Sequence, residues 1–287
     1  MSSTKYGDLI SRNLTKRSKH VEVKGPKIEF GGEELSGGTD LDISWYCPSE
    51  PVPINDSIHT HDFDEFLCFL PGNPNDMNEY QTEIEFSFGK DGEKQVLVEP
   101  TILYLPRGLA HGQLNFKKID KPVSYMKICL SPRYSTTKRI LETRYQKYIT
   151  NPTINNDILK QCFYLNDKLI GQEEKSVQKL AYEGKETTGA NLTIHWFSIK
   201  EPLVFYHPPH SHAYKQYELF MGGNPMNVAD FDAEVEISLG EEAETHIINS
   251  TAIVHIKEGL VHRHINFKRV GKPIMFVQFL LKSDDEK

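Results

Sequence analysis

A chain that repeats itself at one constant offset must build the same unit twice, and that constraint governs everything else here. Shifted by 151 residues, the sequence falls on itself. Leu41–Trp45 matches Leu192–Trp196, His59-Thr-His61 matches His210-Ser-His212, and Gly72-Asn-Pro74 matches Gly223-Asn-Pro225. Glu83–Gly89 matches Glu234–Gly240, and 8 of the 17 positions in Arg107–Val123 are identical in Glu258–Ile274. The only two tryptophans, Trp45 and Trp196, are repeat equivalents. With 287 residues in all, two domains fill the chain. The repeat predicts a first domain over residues 1–134, a linker over 135–150 and a second domain over 151–287.

Within each copy the local pattern is β. Ile43–Tyr46, Glu83–Phe88, Ile102–Leu105 and Tyr125–Leu130 are short runs of alternating or continuous apolar residues, separated by turn formers such as Pro71-Gly-Asn-Pro74 and Asp91-Gly92. Many short strands with regularly spaced turns predict an all-β sandwich or barrel. Asp91-Gly92 reads as a hairpin turn with positive φ at both positions. Ile140, Leu141, Tyr145, Tyr148 and Ile149 recur at helical spacing, which predicts a helix in the linker, and Ile158–Val177 is expected to be partly helical.

The chain has 12 histidines, and their spacing is informative. His59 and His61 stand two apart on a β-like segment, so their imidazoles share a face. Glu65 follows, and much later comes His111 in Pro106-Arg-Gly108-Leu-Ala-His111-Gly-Gln-Leu-Asn115. Three imidazoles and a carboxylate converging on one point suit a divalent transition metal with one or two positions left open.

These residues closely resemble the two motifs of the cupin superfamily. His59, His61, Glu65 and Gly72 match the first motif, and Pro106, Gly108, His111 and Asn115 match the second. Two leading glycines of the motifs are replaced by Pro53 and Pro100, which predicts altered turns and an intact site. The resemblance implies two tandem double-stranded β-helix (jelly-roll) barrels with a few short helices, a bicupin. It also implies a metal bound by His59, His61, Glu65 and His111, with Mn, Fe, Ni, Zn and Cu all open.

The second copy departs from the pattern. His210, His212 and His262 match the histidines, but Lys257 replaces the proline and Gln216 replaces the glutamate. Gln216 can ligate through its carbonyl oxygen yet brings no charge, so an ion there would bind less tightly and act as a stronger Lewis acid. Glu218 lies two residues on, along the same face; it is open as a substitute ligand, as a general acid/base or as an ordinary charged residue. His264, two beyond His262, is expected to point inward as a second proton-transfer candidate, with Gln113 as its counterpart. Tyr206 and His207 lie on the approach to His210, and Leu67 and Phe69 are the apolar residues following Glu65 on its face. Tyr206, Gln113, Leu67 and Phe69 are therefore candidate substrate contacts. The asymmetry predicts different tasks for the two sites. By alternation Arg263 faces away from His262, so no arginine is visible to hold a carboxylate, and oxalate-decarboxylase-like chemistry is not expected.

Composition narrows the partners. A net charge of −7 argues against nucleic acid and anionic lipid. The apolar runs Phe66–Leu70 and Ile274–Leu281 fall far short of the roughly 20 residues of a membrane helix. The start Met1–Asp8 shows no secretory signal, and Cys47, Cys68, Cys129 and Cys162 are scattered, so reduced thiols in a cytoplasmic protein are expected. Three readings stay open: a redox-neutral metalloenzyme (lyase, decarboxylase, hydrolase or isomerase) on a small oxygen-rich molecule, a dioxygenase of the quercetin or gentisate type, and a non-catalytic binding or storage bicupin. A homodimer through exposed strand edges is compatible with each.

Overall fold

The structure, a computed structural model, describes residues 4–17, 26–32, 38–54, 57–73, 75–76, 78–138, 140–141, 144–155, 164–165, 168–169 and 177–282. It divides into two compact units, one comprising Thr15–Pro152 and the other Met1–Leu14 with Thr153–Lys287.

Each unit is a pair of antiparallel sheets, and the two units repeat the same strand order. In the first, a seven-stranded sheet runs Ile149–Thr150, Thr101–Leu105, Glu65–Pro71, Val123–Cys129, Asp42–Tyr46, Pro26–Phe30 and Thr15–Arg17. It faces a four-stranded sheet of Val52–Ile54, His111–Ile119, Thr82–Phe88 and Glu93–Leu97. In the second, the seven strands are Ile10–Arg12, Ala252–Ile256, Lys215–Gly222, Ile274–Leu281, Leu192–Ile199, Val177–Glu183 and Thr153–Asn155. Its four-stranded sheet is Leu203–Phe205, His262–Val270, Ala233–Leu239 and Glu244–Ile248. These are the expected jelly-roll barrels. Among the described residues the one α-helix is the single turn Gly184–Thr187, and no helix is long and apolar enough to cross a membrane.

The inward faces meet in an aromatic core that the repeat duplicates. Phe69 stacks on Tyr125 at 5.2 Å, with Phe116 5.7 Å from Tyr125; the equivalent Phe220 stacks on Phe276 at 4.9 Å, with Phe267 5.5 Å from Phe276. Offset stacks and edge contacts at these separations add to the burial term. Phe69 is therefore a fully buried core residue and not a substrate contact.

Three sequence expectations change. The first 14 residues belong with the second barrel, because Ile10–Arg12 pairs with Ala252–Ile256 and covers that strand's open edge. Tyr6 packs against Gly240, whose positive φ of 79° favours glycine at that position. Among the described residues of 135–150 the only helical piece is the 3-10 turn Gln146–Tyr148, and the segment lies along the first barrel, with Thr137 bridged to Thr60, Leu141 N–H donating to Gly108 O at 2.6 Å, and Tyr145 stacked on Phe88 at 4.4 Å. Tyr145 and Tyr148 are buried against the barrel, while Ile140 and Leu141 stay exposed, so no helix face forms from these residues. Ile149–Thr150 then covers the edge of Thr101–Leu105. The turn after Phe88 spans residues 89–92, with Gly89 and Gly92 at positive φ and Asp91 outside that region. Most of 158–177 lies outside the described residues; the part that is described pairs Tyr164–Leu165 with Lys168–Leu169 as a hairpin. Cys47, Cys68 and Cys129 are buried free thiols, while Cys162 lies outside the described residues.

Candidate metal centres

The motif spacing brings the histidines together by main-chain pairing. His59 and His111 exchange both backbone hydrogen bonds, at 2.9 and 3.0 Å, and Gly108 N–H donates to His61 O at 2.7 Å. His210 and His262 repeat the exchange at 3.1 and 2.9 Å, and Gly259 N–H donates to His212 O at 2.8 Å. Gly108 and Gly259 both hold positive φ, which explains the glycine in the motif. The results are two clusters, His59/His61/His111 and His210/His212/His262, each with its ligand atoms within 4.8 Å of one another.

Hydrogen bonding fixes the ring protons. His59, His61 and His111 place Nδ1 at 2.7, 2.5 and 2.8 Å from the carbonyls of Ser57, Ser135 and Leu109. His210 and His262 place Nδ1 at 2.8 and 3.1 Å from the carbonyls of Pro208 and Leu260. A carbonyl only accepts, so Nδ1 carries the proton and Nε2 presents its lone pair inward, the tautomer a metal requires. The Nε2 atoms of His61 and His111 are buried with no hydrogen-bond donor to satisfy them. Glu65 Oε2 lies 2.9 Å from His111 Nε2 and 3.6 Å from His61 Nε2. Lone pairs facing a buried carboxylate repel unless a cation sits between them, so this donor set fits a divalent ion. Burial would raise the Glu65 pKa, but the positive charge around it, Lys127 included, outweighs burial and holds it at about 2. Burial also lowers the pKa of His61, and in the second barrel it brings His262 to about 4. Burial thus favours the neutral, ligating form of both imidazoles.

Below the triads the two barrels diverge. Leu67 is buried under Glu65, and Lys127 beside it stays charged because Glu65 opposes the cost of burial. In the second barrel Glu218 takes the place of Leu67 and Gln278 that of Lys127. Gln216 Nε2 donates to Glu218 Oε1, as does Gln278 Nε2 at 3.1 Å, while Glu218 Oε2 is buried without a hydrogen-bond partner. Gln216, the expected ligand, therefore has its amide nitrogen committed to Glu218. Glu218 is wholly buried, and burial pushes its pKa up to about 8 against the two amides. Burial thus favours its protonated form, and a carboxyl this deeply buried is not an ordinary surface charge.

A cavity of 350 Å³ opens on the second triad, and its wall includes His195, His207, Glu218, Arg263 and Gln278 together with Phe197, Phe205, Ile237, Ile256 and Leu280. Arg263 lines it and His264 does not, which reverses the sequence expectation. The cause is a bulge: Ile237 faces Ile265 and Leu239 faces His262, so two residues oppose Ser238 alone and the alternation is reset. Arg263 Nη2 donates to Glu241 O at 2.9 Å, and its Nε is buried without a partner. His264 instead stacks beside the half-exposed Tyr206, at 6.3 Å, away from the cavity. Gln113 sits at the equivalent bulge with φ 54°, exposed, its Oε1 accepting from Ser87 Oγ at 3.0 Å.

Sequence motifs alone missed His195, Arg263, Gln278 and Lys127. His195 Nε2 pairs with Glu183 Oε1 at 2.9 Å, and Thr193 Oγ1 donates to Glu183 Oε2 at 2.9 Å. Comparing the copies at the 151-residue offset would have found them: Ser44, Leu67, Gly112 and Lys127 stand where the second barrel has His195, Glu218, Arg263 and Gln278.

No protein-family model matches the sequence, and no curated protein matches it. Solved structures do. AerE from Microcystis aeruginosa superposes with a TM-score of 0.55 at 11% identity, covering 94% of this chain and 98% of that one. The oxalate decarboxylase of Lactobacillus farciminis, solved as a formate complex, gives 0.56 at 12% identity over 95% and 87%. That of Bacillus subtilis, a protein with Mn(II) centres, gives 0.55 at 9% over 95% and 78%. At these identities the likeness is one of fold. Together with the duplicated motifs, it gives the chain the fold of those structures, two jelly-roll barrels in one polypeptide.

Proposed function

We propose that the second barrel is the catalytic one, a metal-assisted, redox-neutral site of the lyase or decarboxylase class acting on a small, oxygen-rich carboxylate. The observation that carries this is the convergence of Arg263, Glu218, Gln278 and His195 on one cavity beside a histidine triad, where the first barrel has Gly112, Leu67, Lys127 and Ser44. The oxalate decarboxylase fold neighbours are consistent with it.

His210, His212 and His262 would hold the ion, which supplies Lewis-acid polarisation of a substrate oxygen. With no carboxylate among these ligands, the ion's charge acts on the substrate undiminished. Arg263 offers the fixed guanidinium that orients a carboxylate, and its unpartnered Nε is a donor in waiting. Glu218 enters as the acid: Oε1 is held by two amides, and Oε2 is left to carry the proton. In a decarboxylation the substrate carbon loses CO2 and takes this proton, and Glu218 is left as carboxylate. His195, oriented by Glu183 at the cavity wall, is placed to return a proton to the cavity. Phe197, Phe205, Ile237 and Ile256 exclude water around the reacting atoms.

The test is turnover of a panel of small hydroxy- and keto-acids by the metal-loaded protein, with oxygen and without it. Equal rates and product CO2 under strict anaerobiosis are expected. Oxygen consumed in step with substrate would replace this reading with the dioxygenase one, and no turnover of any acid would remove it. With an active acid in hand, Arg263→Ala is expected to raise KM by about 10–100-fold, the loss of charged hydrogen bonds worth about 1.5–3 kcal/mol, with a smaller change in kcat.

A further inference from the structure

We infer that Tyr134 is a fifth protein ligand of the first barrel's metal centre, and that its hydroxyl closes the position a substrate would need there. This rests on the reading of His59, His61, His111 and Glu65 as a metal site; it does not depend on what the second barrel catalyses.

Tyr134 Oη lies 3.1 Å from His59 Nε2, the nitrogen that faces the cluster. His59 Nδ1 is already committed to Ser57 O at 2.7 Å, so Nε2 is the acceptor and the phenol the donor in the metal-free state. Two donors held about 2.1 Å from one ion lie about 3.0 Å apart at right angles and about 3.4 Å apart at a tetrahedral angle. The separations at this site are 2.9 Å for His111–Glu65, 3.1 Å for Tyr134–His59 and 3.6 Å for His61–Glu65. Tyr134 Oη therefore stands at the same spacing from a ligand nitrogen as Glu65, an oxygen that the cupin motif itself places among the ligands. On coordination the phenol's proton passes to solvent, and the oxygen turns from His59 to the ion.

The phenol is held in place by its neighbours. The carbonyl of Ser135, the next residue, accepts the Nδ1 proton of His61 at 2.5 Å, so the peptide that carries Tyr134 also orients a ligand imidazole. Two residues further, Thr137 N–H donates to Thr60 O at 2.8 Å and Thr60 Oγ1 donates to Thr137 O at 2.6 Å, which ties the segment between His59 and His61. The Tyr134 ring packs 4.7 Å from the His61 ring, and Lys127 Nζ lies 4.1 Å from its centroid, where an ammonium favours an electron-rich ring. With its backbone neighbours tied to His61 and Thr60 and its partly exposed ring packed on His61 and Lys127, Tyr134 is a pre-formed ligand. Five protein donors leave a first centre that holds its ion tightly and offers little room to an incoming molecule, which agrees with Leu67 lying where the other barrel has Glu218.

The experiment uses the full chain, stripped with chelator and reloaded with two equivalents of Cu(II), read by visible absorption and copper analysis. A phenolate-to-copper charge-transfer band is expected in the wild type and in His210→Ala, and is expected to be absent from Tyr134→Phe and His59→Ala. Copper release to chelator from the first site should quicken at least about 10-fold in Tyr134→Phe. Tyr134→His should lose the band while keeping slow release, which guards against mere unfolding. A band that survives in Tyr134→Phe would overturn the inference. So would its absence from a wild type whose copper count falls by one in His59→Ala. A wild type that takes no copper at His59 would overturn the metal reading of the first barrel along with it.

Discussion

Glu218→Gln is expected to make the metal-free protein more stable and the metal-loaded protein inactive. Glu218 has an ordinary carboxyl pKa of 4.5 when the chain is unfolded and about 8 in the folded state, because burial penalises its charge. A raised carboxyl pKa means that folding favours the proton. The residue costs nothing below pH 4.5, costs progressively more as the unfolded chain ionises, and reaches its full cost above about pH 8. At pH 7 the cost is on the order of 3 kcal/mol. Glutamine has the shape of the neutral acid and can accept from Gln216 and Gln278 through its own carbonyl oxygen. The variant should therefore unfold roughly 5–10 °C higher at pH 7, with the gain vanishing toward pH 4.5. Thermal unfolding of chelated protein across that pH range measures it. Glutamine cannot release a proton to substrate, so turnover should fall by about 10²–10⁴-fold. A variant that is both unstabilised and active would show that Glu218 is neither buried as an acid nor used as one.

His210→Ala and His59→Ala are expected to separate the two centres. Each should remove one ion per chain by elemental analysis, since the ion loses one of the three imidazoles that converge on it. His210→Ala should reduce turnover to background, because Arg263 and Glu218 would then act on a substrate with no polarising charge beside it. His59→Ala should leave turnover within a few-fold of wild type. Inactivity of His59→Ala with the second ion still in place would move catalysis to the first barrel.

Much of this architecture was legible in the residues. The constant offset predicted two barrels, and the paired motifs predicted which histidines converge. What failed was side-chain direction wherever pairing was interrupted. Alternation along His262-Arg263-His264 assumes an unbroken ladder; the bulge opposite Ser238 turns Arg263 into the cavity and His264 out of it. A carboxylate substrate was set aside for want of an arginine that the fold then supplied. Phe69, placed correctly on the inward face, lies too deep to meet a substrate. Lys127, His195 and Gln278 stand on strands outside either motif, and strand pairing brings them beside it. Tyr134 was assigned to the end of the first domain, and no periodicity marks a residue that returns over a site as a cap.

The edge strand Ile10–Arg12 has a consequence for how the chain must be made. Ile10 pairs with Val254, so one edge of the second barrel waits for a segment synthesised more than two hundred residues earlier. Pairings of such separation form slowly, because the intervening chain must first be ordered or looped out. The first barrel, by contrast, draws all its strands from the continuous stretch Thr15–Pro152 and can close while the rest is still emerging. Dividing this gene at its repeat boundary would therefore yield one fragment complete in itself and one lacking its outermost strand. Restoring the second would take the first 14 residues supplied in trans, as a peptide or fused to its new terminus.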